Sequence, residues 1–199
     1  MSSLYIQYGK RSFDFTAAII GLAVLSPIFL LISIVVKITS KGPVFFKQER
    51  MGKNFEPFKI IKFRSMVVND AAKNQLVTSS GDSRITSIGR VLRRYKLDEL
   101  PQLVNVITGD MSLVGPRPEV LKYIQYYKNE YNTILSIQPG ITDNAAIKFR
   151  NEEELLAQYE DSEQAYIKEI MPKKIALYKK YINERSFVND ISLIFKTIF

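Results

Sequence analysis

The chain has 199 residues, 46% of them hydrophobic, and carries 28 Lys+Arg against 20 Asp+Glu for a formal charge of +8. That length holds one domain with a sizeable core, and the positive balance points to an anionic partner: nucleic acid, an anionic membrane or phosphorylated substrates. Cysteine and histidine are both absent, which excludes disulfides, thiolate nucleophiles and His-rich zinc sites and leaves Asp, Glu, Lys, Tyr and Ser for any acid–base or nucleophilic chemistry.

Residues 15–36 contain no charged side chain. As a helix they reach about 33 Å, the thickness of a bilayer core. A cleavable signal peptide would have a shorter apolar region followed by a small-residue cleavage motif, whereas Lys37 and Lys41 follow here. Ser26-Pro27 interrupts the middle of the segment, where a proline removes a hydrogen bond and bends or breaks a helix. Lys10 and Arg11 precede it and Lys37, Lys41, Lys47 and Arg50 follow. Cations at both mouths suit a segment that enters and leaves on the cytoplasmic side, but a kinked spanning helix also fits these residues.

Residues 44–66 read as a β-hairpin, with β-prone runs at 44–46 and 58–63 and turn residues at 51–54. The polar stretch 69–83 is expected to be a loop around a short helix. Residues 88–95 read as a basic helix and 97–107 as a second, ended by Gly109-Asp110. A Tyr-rich helical stretch covers 119–135, and a charged one covers 152–183 with a break at Pro172. The stretch 187–199 is amphipathic: Phe187, Val188, Ile191, Ile194, Phe195 and Ile198 share one helical face, suited to a membrane interface or to capping the core.

Chemistry concentrates in two places. Arg90, Arg93, Arg94 and Lys96 run directly into the paired carboxylates Asp98 and Glu99. Pro101 favours the first turn of a helix and so places that pair at a helix N-terminus, where free N–H groups favour phosphate. Taken alone, the pair is better read as an N-cap with a first-turn charge partner and the arginines as a solvated face. Downstream, Pro116 and Pro118 restrict the backbone around Arg117, a loop preset either to clamp a diphosphate or to form a rigid surface turn.

Taken in order, Lys10-Arg11, Ser26-Pro27, residues 59–66, residues 98–103, Asn105, residues 109–112, Gly115-Pro116-Arg117-Pro118 and residues 139–142 resemble the bacterial sugar transferase family, the monotopic phosphoglycosyl transferases. The resemblance implies an α+β, mostly helical fold with an N-terminal re-entrant membrane helix, a small β-hairpin and amphipathic interfacial helices. It implies a membrane-dipping helix in residues 1–41, broken at Ser26-Pro27, and a cytoplasmic catalytic domain in 42–199 continuous with it. The implied activity moves a sugar 1-phosphate from a UDP-sugar to undecaprenyl phosphate, releases UMP and starts lipopolysaccharide, capsule or exopolysaccharide assembly at the cytoplasmic face of the inner membrane.

In this resemblance Asp98 is the nucleophile and a Mg²⁺ ligand, and Glu99 supports the metal site or acts as a base. Arg93, Arg117, Lys62 and Arg64 bind phosphates. Lys10, Arg11, Ser26 and Pro27 meet the lipid, and Pro116 and Pro118 shape the Arg117 loop. No nucleic acid is expected, and a homodimer is left open. Asp143 departs from the family's pattern, where Gly usually follows Pro-Gly-Ile-Thr, and so leaves the sugar undetermined. No large N-terminal extension is present, so a minimal catalytic form is expected. The alternatives are direct attack by the lipid phosphate without a covalent step, and a basic membrane adaptor without catalysis.

Overall fold

A computed structural model describes residues 4–67, 77–78 and 81–198. The polar stretch 69–83 therefore lies largely outside the described residues. A π-helical turn, Tyr5–Gly9, leads into α1, Lys10–Thr39. One stripe of α1, with Asp14, Ala18, Gly21, Leu25, Phe29, Ile32 and Val36 at helical spacing, packs on the rest of the chain. The opposite side is bare and apolar, with Ile20, Val24, Leu30, Leu31 and Ile38 exposed.

The helix does not end at Pro27, contrary to the expected break. Pro27 has no N–H for the carbonyl of Ala23, four residues back. The Ser26 hydroxyl donates to that carbonyl instead, at 2.8 Å, so the freed acceptor is satisfied within the helix.

The expected hairpin is present. β1, Phe45–Met51, and β2, Pro57–Phe63, pair antiparallel with Phe45 opposite Phe63 and Met51 opposite Pro57. Next comes α2, Ser87–Arg94, capped by the Thr86 hydroxyl, which accepts from the Gly89 N–H. The single helix expected over 97–107 divides into a 3-10 turn, Leu97–Glu99, and α3, Gln102–Thr108. Pro101, which cannot donate, sits at the boundary as the N-cap of α3. Gly109 ends α3 at φ 96°, the left-handed cap that favours glycine.

β3, Ser112–Val114, is followed by α4, Leu121–Ile124, a 3-10 turn and α5, Lys128–Ile134. β4, Gly140–Thr142, pairs parallel with β3. Then come α6, Asn144–Lys148, α7, Glu152–Leu156, α8, Ser162–Ala165, a π-helical turn and α9, Met171–Glu184. The interruption expected at Pro172 lies instead between α7 and α8, because Pro172 sits in the first turn of α9. The largest apolar cluster gathers Tyr123, Tyr131, Tyr166 and Tyr178 with Ile124, Ile134, Leu156 and Ile170.

The last helix, α10, Phe187–Ile198, turns a polar residue inward. Asp190 is fully buried and accepts from the hydroxyls of Tyr5 and Tyr181, each at 2.8 Å, and from Lys10 Nζ at 2.6 Å. Val188, Phe195 and Ile198 stay 76%, 59% and 68% exposed. The apolar face is thus left bare, beside the equally bare side of a chain terminus held by the same carboxylate.

Candidate active site

Three separate pieces of backbone bring the charged groups together. The first is the turn after α2. Lys96 adopts φ 56°, reversing the chain, and the following 3-10 turn buries Asp98 and Glu99 to 4% and 8% exposure. Leu97 and Leu100, on either side of the pair, pack into the cluster of Phe63, Leu92, Ile32 and Val36, which fixes the turn in place. The second piece is β2, which carries Lys62. The Asn105 side chain stitches α3 to this strand: its oxygen accepts from Ile61 N–H at 3.0 Å and its nitrogen donates to Lys59 O at 2.9 Å.

The third piece is the loop after β3, which carries Arg117. Gly115 and Gly140 touch so closely that a Cβ on Gly140 would stand 2.0 Å from Gly115 N. Gly140 N–H donates to Pro116 O at 2.9 Å and Gly115 N–H to Thr142 O at 3.0 Å. Asp143 then completes the loop, accepting from Arg117 N–H at 3.0 Å through one oxygen while the other caps α6 at Ala145 and Ala146. With Pro116 and Pro118 on either side, little freedom is left to Arg117.

The two carboxylates meet different fates. Glu99 accepts from Lys62 Nζ at 2.9 Å, from Arg117 Nη1 at 3.0 Å and from Arg117 Nη2. Burial alone would raise its pKa, but the Arg117 and Lys62 cations outweigh burial and hold it well below the usual carboxylate range. Burial lowers the Lys62 ammonium against the opposing pull of Glu99, and Glu99 raises the Arg117 guanidinium. Asp98 is buried with its Oδ1 unpartnered. Burial, with the Glu99 charge adding to it, raises its pKa against the opposing Lys62 cation. Gln102, four residues on and fully buried, has both amide atoms unpartnered.

These donors fit Mg²⁺ of the substrate-bridging kind. That ion is commonly held by one or two carboxylates plus substrate phosphates rather than by an all-protein cage. The unpartnered Asp98 oxygen is such a donor, and among the described residues no three acidic side chains cluster as a cage.

The remaining expected residues divide. Arg93 lies in the same cavity as the dyad, with Nε donating to Glu153 at 3.1 Å, Nη2 to the same carboxylate and Nη1 to Ser65 at 3.4 Å. Arg64, expected at the phosphates, is among the residues lining the same cavity, is 1% exposed, and its guanidinium donates to the carbonyls of Val36, Ser40 and Pro43 and to the Ser40 hydroxyl. It caps the end of α1, where a cation meets the last helix carbonyls. Lys10 and Arg11, expected at the lipid, are both engaged by protein. Lys10 pairs with Asp190, and Arg11 donates to Val106 O and to Ile107 O at 2.8 Å, at the end of α3. Ser26 and Pro27 lie within α1, outside the charged cluster.

Asp143, Lys96 and Glu153 belong to the site without having been assigned roles from sequence. A signal for Asp143 existed: an Asp directly before Asn144-Ala145-Ala146 is an N-cap pattern. Asp143→Ala is expected to lower stability by about 1–2 kcal/mol through the lost cap and the orphaned Arg117 N–H, measured by urea denaturation. An unchanged midpoint would mean that the loop is held by its prolines alone.

Residues 5–199 match the family described as "Bacterial sugar transferase". The chain is 38% identical over 194 residues to the UDP-glucose:undecaprenyl-phosphate glucose-1-phosphate transferase of Escherichia coli (strain K12), covering 96% of this chain and 39% of that protein. It is 35% identical over 193 residues to the protein of the same name from Caulobacter vibrioides, covering 95% of this chain and 68% of the relative. It is 35% identical over 204 aligned residues to the exopolysaccharide production protein ExoY of Sinorhizobium fredii, covering 95% and 83%. The chain thus spans about two fifths of the E. coli protein and most of the shorter relatives. With nearly every residue inside the match, and the quoted motifs among them, the chain belongs to the bacterial sugar transferase family.

Proposed function

We propose that the chain transfers a sugar 1-phosphate from a UDP-sugar to undecaprenyl phosphate through a covalent intermediate on Asp98, as the first membrane step of bacterial glycan assembly. The observation that carries this proposal is the asymmetry of the dyad. Glu99 is saturated by Lys62 and Arg117, whereas Asp98 lines the cavity with an unpartnered oxygen. A carboxylate free of donors and raised in basicity by burial is the better nucleophile.

Asp98 attacks the β-phosphorus of the UDP-sugar. The bond from that phosphorus to the bridging oxygen breaks, and the electron pair leaves with UMP. A phosphate oxygen of undecaprenyl phosphate then attacks the same phosphorus, the bond to Asp98 breaks and the carboxylate returns. Neither step requires a proton transfer, which agrees with a chain without histidine. Arg117 and Lys62, held by Glu99, and Arg93 in the same cavity offset charge on the phosphates. Asp98 is the residue that would hold Mg²⁺, and the bound ion supplies further charge neutralisation at the phosphate oxygens.

A membrane location on the cytoplasmic face is supported by contacts at both ends of the apolar segment. Asp14 accepts from Ser112 at 2.7 Å near one end, and Val36 and Ser40 accept from Arg64 near the other. A helix crossing the bilayer could reach a charged catalytic body on one side only. The packed stripe from 14 to 36, about 33 Å long, instead suits a helix laid along the catalytic body on one face of the membrane. Single cysteines at the exposed positions Leu4 and Tyr126 are expected to react with an impermeant maleimide in inverted vesicles and not in intact cells. Labelling of position 4 from outside would mean a spanning helix.

The transfer itself is tested with the reconstituted protein, Mg²⁺, undecaprenyl phosphate and a panel of UDP-sugars labelled in the sugar. Label is expected in the lipid fraction with matching release of UMP. Label that stays water-soluble for every sugar would contradict the proposal.

A further inference from the structure

The strand β3 runs directly into the loop that carries Arg117, and side chains from α1 and α9 hold each of its three residues. Asp14 of α1 accepts from the Ser112 hydroxyl at 2.7 Å and from the Leu113 N–H at 3.2 Å. The Tyr181 hydroxyl of α9 stands 2.9 Å from Val114 O and 2.8 Å from Asp190 Oδ1. A hydroxyl has one proton to donate, so Tyr181 shares it between the strand and the first turn of α10. Asp190 in turn holds Tyr5 and Lys10, and the Phe187 ring meets those of Tyr5 and Phe13 at 5.5 and 5.4 Å.

This arrangement exceeds what packing needs. Val114, Tyr181 and Leu193 form one buried cluster, in which a phenylalanine ring would fill the same space without a hydroxyl to satisfy. None of Val114, Tyr181 and Asp190 lines the cavity of Asp98, so none of them meets the substrate. Val114 nevertheless stands three residues before Arg117, and little slack separates the two. Gly115 is pressed against Gly140, and Pro116 precedes Arg117. The far end of α10 grips the same sheet, since the Thr197 hydroxyl is bonded to that of Thr142, whose carbonyl accepts from Gly115 N–H. A shift of Val114 is therefore carried to the guanidinium rather than absorbed.

We propose that Tyr181 and Asp190 are positioning residues for the transfer: Asp190, docked between the N-terminal segment and α10, orients the Tyr181 hydroxyl onto Val114, and this anchor sets Arg117 against the phosphates. A group misplaced by about 1 Å costs on the order of 10²-fold in rate, so a pair remote from the chemistry is felt there. The assignment rests on the transferase function proposed above and on the part Arg117 plays in it.

Tyr181→Phe removes the hydroxyl and keeps the ring. With UDP-sugar, Mg²⁺ and no lipid, its saturated rate of UMP release is expected to fall about tenfold while the half-saturating concentration moves less than about threefold, because Arg117 acts on charge that develops in the transition state. Within Arg117→Met the same change is expected to cost less than about twofold, since a residue that acts through Arg117 then has nothing to position. An unchanged rate in the parent background, or a loss of about tenfold repeated within Arg117→Met, would overturn the proposal and leave Tyr181 a core residue. Sedimentation with phosphatidylethanolamine–phosphatidylglycerol vesicles is expected to match the parent, and a loss of binding large enough to account for the lost rate would overturn the proposal as well. If Tyr181→Phe does not fold, as judged by circular dichroism, Asp190→Asn decides by the same cycle. A parent protein that releases no UMP would contradict the transferase function instead.

Discussion

Asp98→Asn is expected to lower UMP release by at least roughly 10⁴-fold, as removal of a covalent nucleophile does, while the protein becomes more stable at neutral pH. The two effects share one cause. Asp98 is buried with an unpartnered oxygen, and its pKa is raised, so the folded state holds the Asp98 proton more tightly than the unfolded state. The cost of the charge is absent below the ordinary aspartate value near 3.9 and grows as pH rises through the raised folded value. Asparagine carries no charge to desolvate, so its advantage over the parent should widen from pH 4 to pH 8 in thermal melts. Asp98→Asn with near-parental turnover, or equal melting differences at both pH values, would remove the buried-nucleophile account.

The second large effect is in the clamp. Glu99→Gln leaves Lys62 and Arg117 without their shared anion, and Arg117→Met leaves Glu99 short of its strongest partner. Each single change is expected to destabilise by about 3–5 kcal/mol, the usual cost of isolating one member of a buried ion pair. The double variant should cost clearly less than the sum, because no uncompensated Glu99 charge then remains. The Glu99 contribution is present above its unfolded value near 4.3 and is lost as pH falls through its depressed folded value. Arg117→Met should also slow UMP release by roughly 10²–10³-fold through lost charge stabilisation at phosphorus. Strict additivity in urea denaturation would mean that Glu99 and Arg117 do not act as a unit.

The hairpin, the basic helix, the left-handed stop at Gly109 and the Asp98-Glu99 pair were legible in the residues because each depends on local propensity or turn chemistry. The partners were not. Lys10 and Asp190 are 180 residues apart in the chain, and nothing local to either distinguishes an ion pair from a lipid-facing cation. Arg64 sits in a motif full of cations, and only the tertiary packing of α1 against β2 brings its guanidinium to the helix end. Pro27 misled in a different way: its effect on the helix is decided by whether a neighbour donates to the freed carbonyl, and Ser26 does. The amphipathic pattern of α10 was visible, but its orientation was not, since one buried Asp190 with three donors outweighs several apolar side chains left bare.

The most direct measurement is the intact mass of the protein after incubation with a UDP-sugar and Mg²⁺ and no lipid acceptor. One phosphosugar per chain is expected, mapped by peptide fragmentation to Asp98, with one equivalent of UMP in solution and with both absent in Asp98→Asn. An unmodified mass, with UMP appearing only once undecaprenyl phosphate is added, would contradict the covalent step and favour direct attack by the lipid phosphate.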